Sequence, residues 1–182
     1  LVKAKSGVIE FDNLDISNRS AETRARIGIG YVPQGRERFN KLTVEENLRT
    51  GLGGRSDGLR EIPDSIFKLF PVLKQMLGRR GGDLSGGQQQ QLAIGRALAS
   101  GPRLLILDEP TEGIQPNIVH EIGDIIIQLN REESLTVLLV EQKLPFARRV
   151  ATGFDLMERG RVVASGDIAE LSEDLIQRHL AV

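Results

Sequence analysis

Residues 84–91 read Leu-Ser-Gly-Gly-Gln-Gln-Gln-Gln, and residues 104–110 read Leu-Leu-Ile-Leu-Asp-Glu-Pro. The first string places a hydroxyl and two glycines where a helix begins. A helix N-terminus carries unpaired N–H groups and about half a positive charge, and glycine lets an anion approach that backbone. Ser85, Gly86, Gly87 and Gln88 are therefore candidates for holding a phosphate, although the same residues also describe a plain capped helix after a flexible loop. The second string is a strand of aliphatics ending in two carboxylates. Such a strand delivers its last residues to the carboxyl edge of a parallel sheet, where ligands bind. One of the carboxylates of Asp108 and Glu109 can hold a divalent cation, and its neighbour, pointing the other way, can orient or deprotonate a water. An acidic turn after a strand satisfies the same residues.

The elements that position these groups follow from periodicity and caps. Residues 8–16 alternate loosely and predict a strand with a turn, and Ile27–Gln34 predicts a second strand that Pro33 stops or bends. Thr43-Val44-Glu45-Glu46 is a capping box that opens a helix to about Arg49. Ile66, Leu69, Phe70, Leu73, Met76 and Leu77 form a helical stripe within residues 62–78, and Arg79–Asp83 is a glycine-rich loop. Ser85-Gly86-Gly87-Gln88 is a second capping box, opening a helix to about Ala99. Residues 103–107 predict a strand buried on both faces. Pro116 suits a first helical turn, with Ile118, Ile122, Ile125, Ile126 and Leu129 on one face. Leu135–Val140 is another buried strand, so strand, helix and strand imply a parallel crossover. Asp155–Ala164 reads as two strands joined at Arg159-Gly160, followed by short helices.

Bulk properties narrow the classes. The length suffices for one domain with a real core, and the hydrophobic and charged fractions, 40% and 27%, are those of an ordinary globular protein. A net charge of -1 argues against nucleic acid as the main partner. The absence of cysteine excludes disulfides and thiolate metal sites. His120 and His179 sit in polar helical contexts and are expected at the surface. The chain opens on Leu1 without an initiator methionine, which gives the expectation that it starts inside a longer protein.

Gln34 after Tyr31-Val32-Pro33, then Leu84–Gln88, then Asp108-Glu109-Pro110 resemble the Q-loop, signature and Walker B segments of ATP-binding-cassette (ABC) ATPases, in that family's order. Gly35-Arg36-Glu37, Leu42–Leu48, Arg80–Asp83 and Thr111–Pro116 look more closely like the ATP-binding subunits of branched-chain amino acid and urea importers. The glutamine run and Glu112–Pro116 look most like the second ATPase of bacterial urea transporters. The resemblance implies an α/β, P-loop-NTPase-like domain with a parallel core sheet and a helical subdomain. The resemblance further implies that the family's N-terminal antiparallel strands and P-loop, which would precede these residues, are missing from the sequence. Residues 1–35 would be a remnant of the core and Q-loop, 36–100 the helical subdomain, and 101–182 the core with Walker B, D-loop and switch.

The resemblance also implies roles. Glu109 would be the catalytic base, and Asp108 would hold Mg2+. Gln34 would touch Mg2+ and the attacking water and sense a membrane subunit. Ser85, Gly86, Gly87 and Gln88 would close on ATP bound to a second ATP-binding subunit, in a homodimer or heterodimer, with residues 112–115 crossing the interface. Transmembrane permease subunits would be partners, a periplasmic substrate-binding protein an indirect one, and nucleic acid none. The place would be the cytoplasmic face of the bacterial inner membrane, peripherally bound. A soluble ABC ATPase outside transport and a non-catalytic fragment are the competing classes.

The sequence departs from the family in three places. It contains no Gly-x-x-x-x-Gly-Lys-Ser/Thr loop and no Gly-Lys dipeptide; Ala4-Lys5-Ser6 is the nearest imitation. Gln142 stands where a switch histidine is usual, able to hydrogen-bond a phosphate but not to become charged. The D-loop aspartate is replaced near Gln115. Without a P-loop strand in the sheet, apolar side chains of Leu104–Leu107 and Leu135–Val140 are expected to lie open.

A P-loop supplies N–H groups and a lysine to the β- and γ-phosphates. The 182 residues alone are therefore expected to release no phosphate from Mg-ATP above the buffer rate, and Mg2+-dependent turnover in a phosphate-release assay would sink that expectation.

Overall fold

The computed structural model describes residues 4–35, 39–55 and 57–180. Arg36 and Glu37 of the importer-like string lie outside the described residues. The chain forms two compact units, Leu1–Val140 and Glu141–Val182.

The first unit opens with a short antiparallel hairpin, β1 (Glu10–Phe11) and β2 (Leu14–Asp15), turned at Asp12 and Asn13. Both turn residues have positive φ, a conformation that Asp and Asn tolerate better than most. Helix α1 (Ala21–Arg26) follows, with the Ser20 hydroxyl accepting the Thr23 N–H. The sequence does not announce this helix, because its six residues carry no apolar periodicity and none is buried. Strand β3 is Ile29–Val32, ending before Pro33 as expected. Helix α2 (Val44–Gly51) starts at the first capping box. The Glu46 N–H donates to the Thr43 hydroxyl, while the Thr43 N–H donates back to the Glu46 carboxylate at 2.7 Å. The Thr43 N–H first, and then the Thr43 hydroxyl donating to the same carboxylate at 2.9 Å, hold the Glu46 carboxyl below the usual carboxylate range.

The apolar stripe of residues 62–78 folds as two short helices, α3 (Asp64–Leu69) and α4 (Pro71–Gln75), rather than one. Pro71 is the reason. It offers no N–H and pushes the residue before it out of the helical region, and Phe70 sits at φ -127°, ψ 72°. The stripe still works as a core: Ile66, Phe70 and Leu73 are fully buried with Leu48, Leu92 and Ile94. Helix α5 (Gly86–Ala99) begins at the second capping box, matching the sequence expectation at both ends. It approaches α2 closely at Gly51, where a Cβ would collide with the Arg96 carbonyl oxygen.

Strand β4 (Leu104–Asp108), helix α6 (Pro116–Glu132) and strand β5 (Thr136–Val140) complete the unit. The sheet order is β3-β4-β5, all parallel, with Tyr31 beside Ile106 and Ile106 beside Leu138. The expectation of strands buried on both faces holds for one face only. Val32, Leu105 and Leu107 are buried, while on the other face Tyr31, Leu138 and Val140 are 45%, 51% and 49% exposed. Helices α5 and α6 pack on β3 and β5 and account for the closed face.

The second unit carries α7 (Leu144–Val150), the antiparallel pair β6 (Gly153–Glu158) and β7 (Arg161–Asp167), and α8 (Glu173–Leu180). Arg159 and Gly160 join the strands with positive φ at both residues, the backbone a tight two-residue hairpin needs. Helix α7, which the sequence reading lacked, starts with Pro145 in its first turn, and the Glu141 carboxylate accepts the Gln142 and Lys143 N–H groups. His120 is exposed as expected. His179 is instead partly buried, 3.1 Å from the Glu158 carboxylate.

Two packing contacts generate predictions. Asn47 is completely buried; its amide donates to the Phe39, Leu42 and Thr43 carbonyls and its oxygen accepts the Phe39 N–H at 3.1 Å. Asn47→Ala strands those backbone groups and is expected to lower stability by about 2–3 kcal/mol in urea titration. Gly87 seats the first turn of α5 on α6: a Cβ would come within 2.9 Å of the Ile118 side chain. Crowding of that kind costs about 1–3 kcal/mol, more than the ~0.5–1 kcal/mol alanine gains in a helix. Gly87→Ala should therefore melt earlier by calorimetry, and a raised Tm would contradict the contact.

Candidate functional site

Parallel pairing brings the ends of β3 and β4 to the same edge of the sheet. There the acidic pair separates by alternation. Asp108 continues the open face, on the side where Tyr31 stands, because Tyr31 is opposite Ile106 and Asp108 lies two residues further along β4. The Tyr31 hydroxyl donates to the Asp108 carboxylate at 3.3 Å. Glu109 extends the ladder by one bond, its N–H donating to the Val140 carbonyl at 2.9 Å. It then turns the chain at φ 45°, a left-handed conformation that disfavours a residue with a Cβ. The chain thus turns one residue before Pro110. Pro110 and Thr111 are buried behind it, which fixes the turn.

Gln34, in the turn after β3, reaches this edge. Its amide nitrogen donates to the Glu109 carboxylate at 3.2 Å and to the Glu112 carboxylate at 3.1 Å. Glu112 is tied back by its own N–H to the Glu109 carbonyl at 3.2 Å. Gln34, Asp108 and Glu109 thus converge on one edge. Tyr31 and the direct Gln34–Glu112 contact were missed as parts of the site. Tyr31 was within reach of the sequence, since strand alternation puts it on one face with Asp108 once β3 and β4 are aligned in parallel.

The candidate phosphate holders form the first turn of α5. The Gln88 N–H donates to the Ser85 hydroxyl, and the Ser85 N–H donates to the Gln88 side-chain oxygen at 3.0 Å. Both side chains are thus engaged in capping each other's backbone. Helix geometry leaves the Gly86 and Gly87 N–H groups without an intrahelical acceptor. Gly87 has a packing reason besides its openness, the seat on Ile118. Gln89, Gln90 and Gln91 are buried, and Gln91 donates to Glu121 on α6 at 3.2 Å. Gln142 belongs to the second unit and is exposed.

The donor set at the sheet edge is hard oxygen: the Asp108 and Glu109 carboxylates and the Gln34 amide carbonyl. Such donors suit Mg2+, which binds proteins through one or two carboxylates and takes its other ligands from water and phosphate. No group of three or more acidic, histidine or cysteine side chains able to cage an ion occurs among the described residues. A cation here would therefore depend on ligands brought by a substrate.

Comparisons with known proteins give one family. The model of the family described as ABC transporter matches residues 1–112. The chain is 44% identical over 164 residues to the high-affinity branched-chain amino acid transport ATP-binding protein BraG of Pseudomonas aeruginosa, covering 88% of this chain and 69% of that one. It is 35% identical over 174 residues to the probable branched-chain amino acid transport ATP-binding protein LivF of Archaeoglobus fulgidus, covering 95% and 74%. Among solved structures, the ADP conformation of the ATP-binding cassette MJ1267 superposes with a TM-score of 0.80 at 27% identity, covering 100% of this chain and 79% of that one. The dimeric, ADP- and Pi-bound cassette MJ0796 also gives 0.80, at 25% identity, covering 92% and 75%. With a family model over more than half its length and a close relative over most of it, the chain belongs to the ATP-binding domains of ABC transporters.

Proposed function

We propose that the chain is the ATP-binding part of an importer subunit, peripheral on the cytoplasmic face of the membrane, that couples ATP hydrolysis to uptake of branched-chain amino acids. The observation that carries the chemistry is Glu109, held at the carboxyl edge of β4 by Gln34, with Asp108 beside it. Glu109 takes the proton of the attacking water. Its strained backbone and the Gln34 amide keep its carboxylate aimed while Asp108 faces the open side of the sheet. Mg2+ bound with ATP supplies charge neutralisation on the phosphates, with Asp108 and Gln34 as its holders on this chain. The first turn of α5 offers the Gly86 and Gly87 N–H groups, with Ser85 and Gln88, to ATP held by a second ATP-binding subunit. Gln142 serves as the switch residue.

The cargo reading is supported by the BraG and LivF relatives. Urea is the second reading, favoured by the run Gln88–Gln91 and by Glu112–Pro116. Docking of a permease helix on residues 36–100, beside the core pieces 1–35 and 101–182, is supported by a groove between β3, α2 and α5. Its volume is about 540 Å³, and Tyr31, Phe39, Thr50 and Arg96 line it. The Arg96 guanidinium lies 5.3 Å over the Phe39 ring, so this groove presents an apolar surface with a cation at hand.

Glu109→Gln in the assembled transporter is the test. Loss of a general base costs about 10²- to 10⁴-fold in rate and leaves binding intact. Phosphate release should fall within that range while nucleotide binding persists, and near-normal turnover would remove Glu109 from the role.

A further inference from the structure

Gln34 has one planar amide and two carboxylates within reach of its nitrogen. The Glu109 oxygen is 3.2 Å away and the Glu112 oxygen 3.1 Å. An amide NH2 group has two protons, so both acceptors can be served at once. The consequence lies at the other end of the group. Carbonyl and NH2 diverge from the same carbon, so fixing the nitrogen between two anions fixes where the oxygen faces. A single acceptor would leave rotation about the donated bond free. We infer that Glu112 is a positioning residue for the reaction: it fixes the flip of the Gln34 amide, and through Gln34 the aim of the Glu109 carboxylate. The inference rests on the proposed role of Glu109 as base.

Glu112 is suited to this task by its place in the chain. It lies three residues after Glu109, its N–H bonded to the Glu109 carbonyl, so the turn that aims Glu109 also aims Glu112. Its side chain is exposed, and its replacement removes no core packing. An anion is required there, because a neutral amide in its place can present either end to Gln34. Aspartate is one methylene shorter and retracts the carboxylate from the 3.1 Å contact.

Two readouts separate positioning from architecture. In the 15N-labelled chain, without nucleotide or metal, the Gln34 side-chain NH2 pair is assigned by its loss in Gln34→Ala. Glu112→Gln and Glu112→Ala should both move that pair toward the shifts of a solvent-exposed glutamine, with backbone resonances away from residues 34 and 109–113 unchanged. An unmoved pair overturns the inference, whether or not Glu109→Gln moves it. In the assembled transporter, Glu112→Gln should lower kcat for ATP about threefold to tenfold, the effect of one ordinary net hydrogen bond lost at an exposed position, with KM unchanged. A raised KM at constant kcat, or unchanged turnover despite a moved Gln34 pair, overturns the catalytic role. Normal turnover of Glu109→Gln would overturn the base assignment instead, and the amide shifts are independent of that result.

Discussion

Parallel hydrogen bonding between β3, β4 and β5 decides where the polar groups at the sheet edge, Tyr31, Gln34, Asp108 and Glu109, stand. Because the three strands run the same way, their ends share one edge, and the turns that follow them become neighbours despite wide separation in sequence. Register then does the finer work. With Tyr31 opposite Ile106, the tyrosine and Asp108 occupy one face, two residues apart along the sheet. A slip of one residue would turn Asp108 to the closed face beneath α5 and α6, where an ionised carboxylate is costly. The buried side chains Val32, Leu105 and Leu107 prevent such a slip by demanding that same closed face. Core packing and carboxylate placement are thus one constraint seen from two sides of a strand.

Local signals in the chain were the most legible. Both capping boxes start helices where Thr43 and Ser85 stand, and the second helix ends at Ala99 as its apolar positions require. The strand leading to Asp108 and the long helix from Pro116 were visible for the same reason, a strong pattern over enough residues. Short elements were not. Helix α1 buries nothing and so leaves no apolar period to detect, and α7 is announced only by Pro145. The stripe ending at Leu77 misled because spacing is blind to the proline within it: Pro71 breaks the helix while the buried side chains on either side keep their common face.

At the site, residue types were legible and partnerships were not. Gln34, Asp108 and Glu109 stand out by motif, yet nothing local says that Gln34 bridges two acids. That contact spans 75 and 78 residues of chain and exists only after the sheet forms. Gly87 shows a related limit. Chemistry suggested an opening for an anion, and packing supplies a second demand, the seat of α5 on Ile118. One glycine answers both, so its identity alone cannot separate them.

The backbone of Glu109 has a wider implication. Its left-handed turn costs a side-chain-bearing residue about 1–2 kcal/mol, which glycine would not incur. The position is therefore one where the most stable sequence and the working sequence differ. Stabilising drift should run toward glycine or asparagine there, and only selection for turnover opposes it. In a lineage released from that selection, residue 109 is among the first places where the carboxylate would disappear while the fold persists.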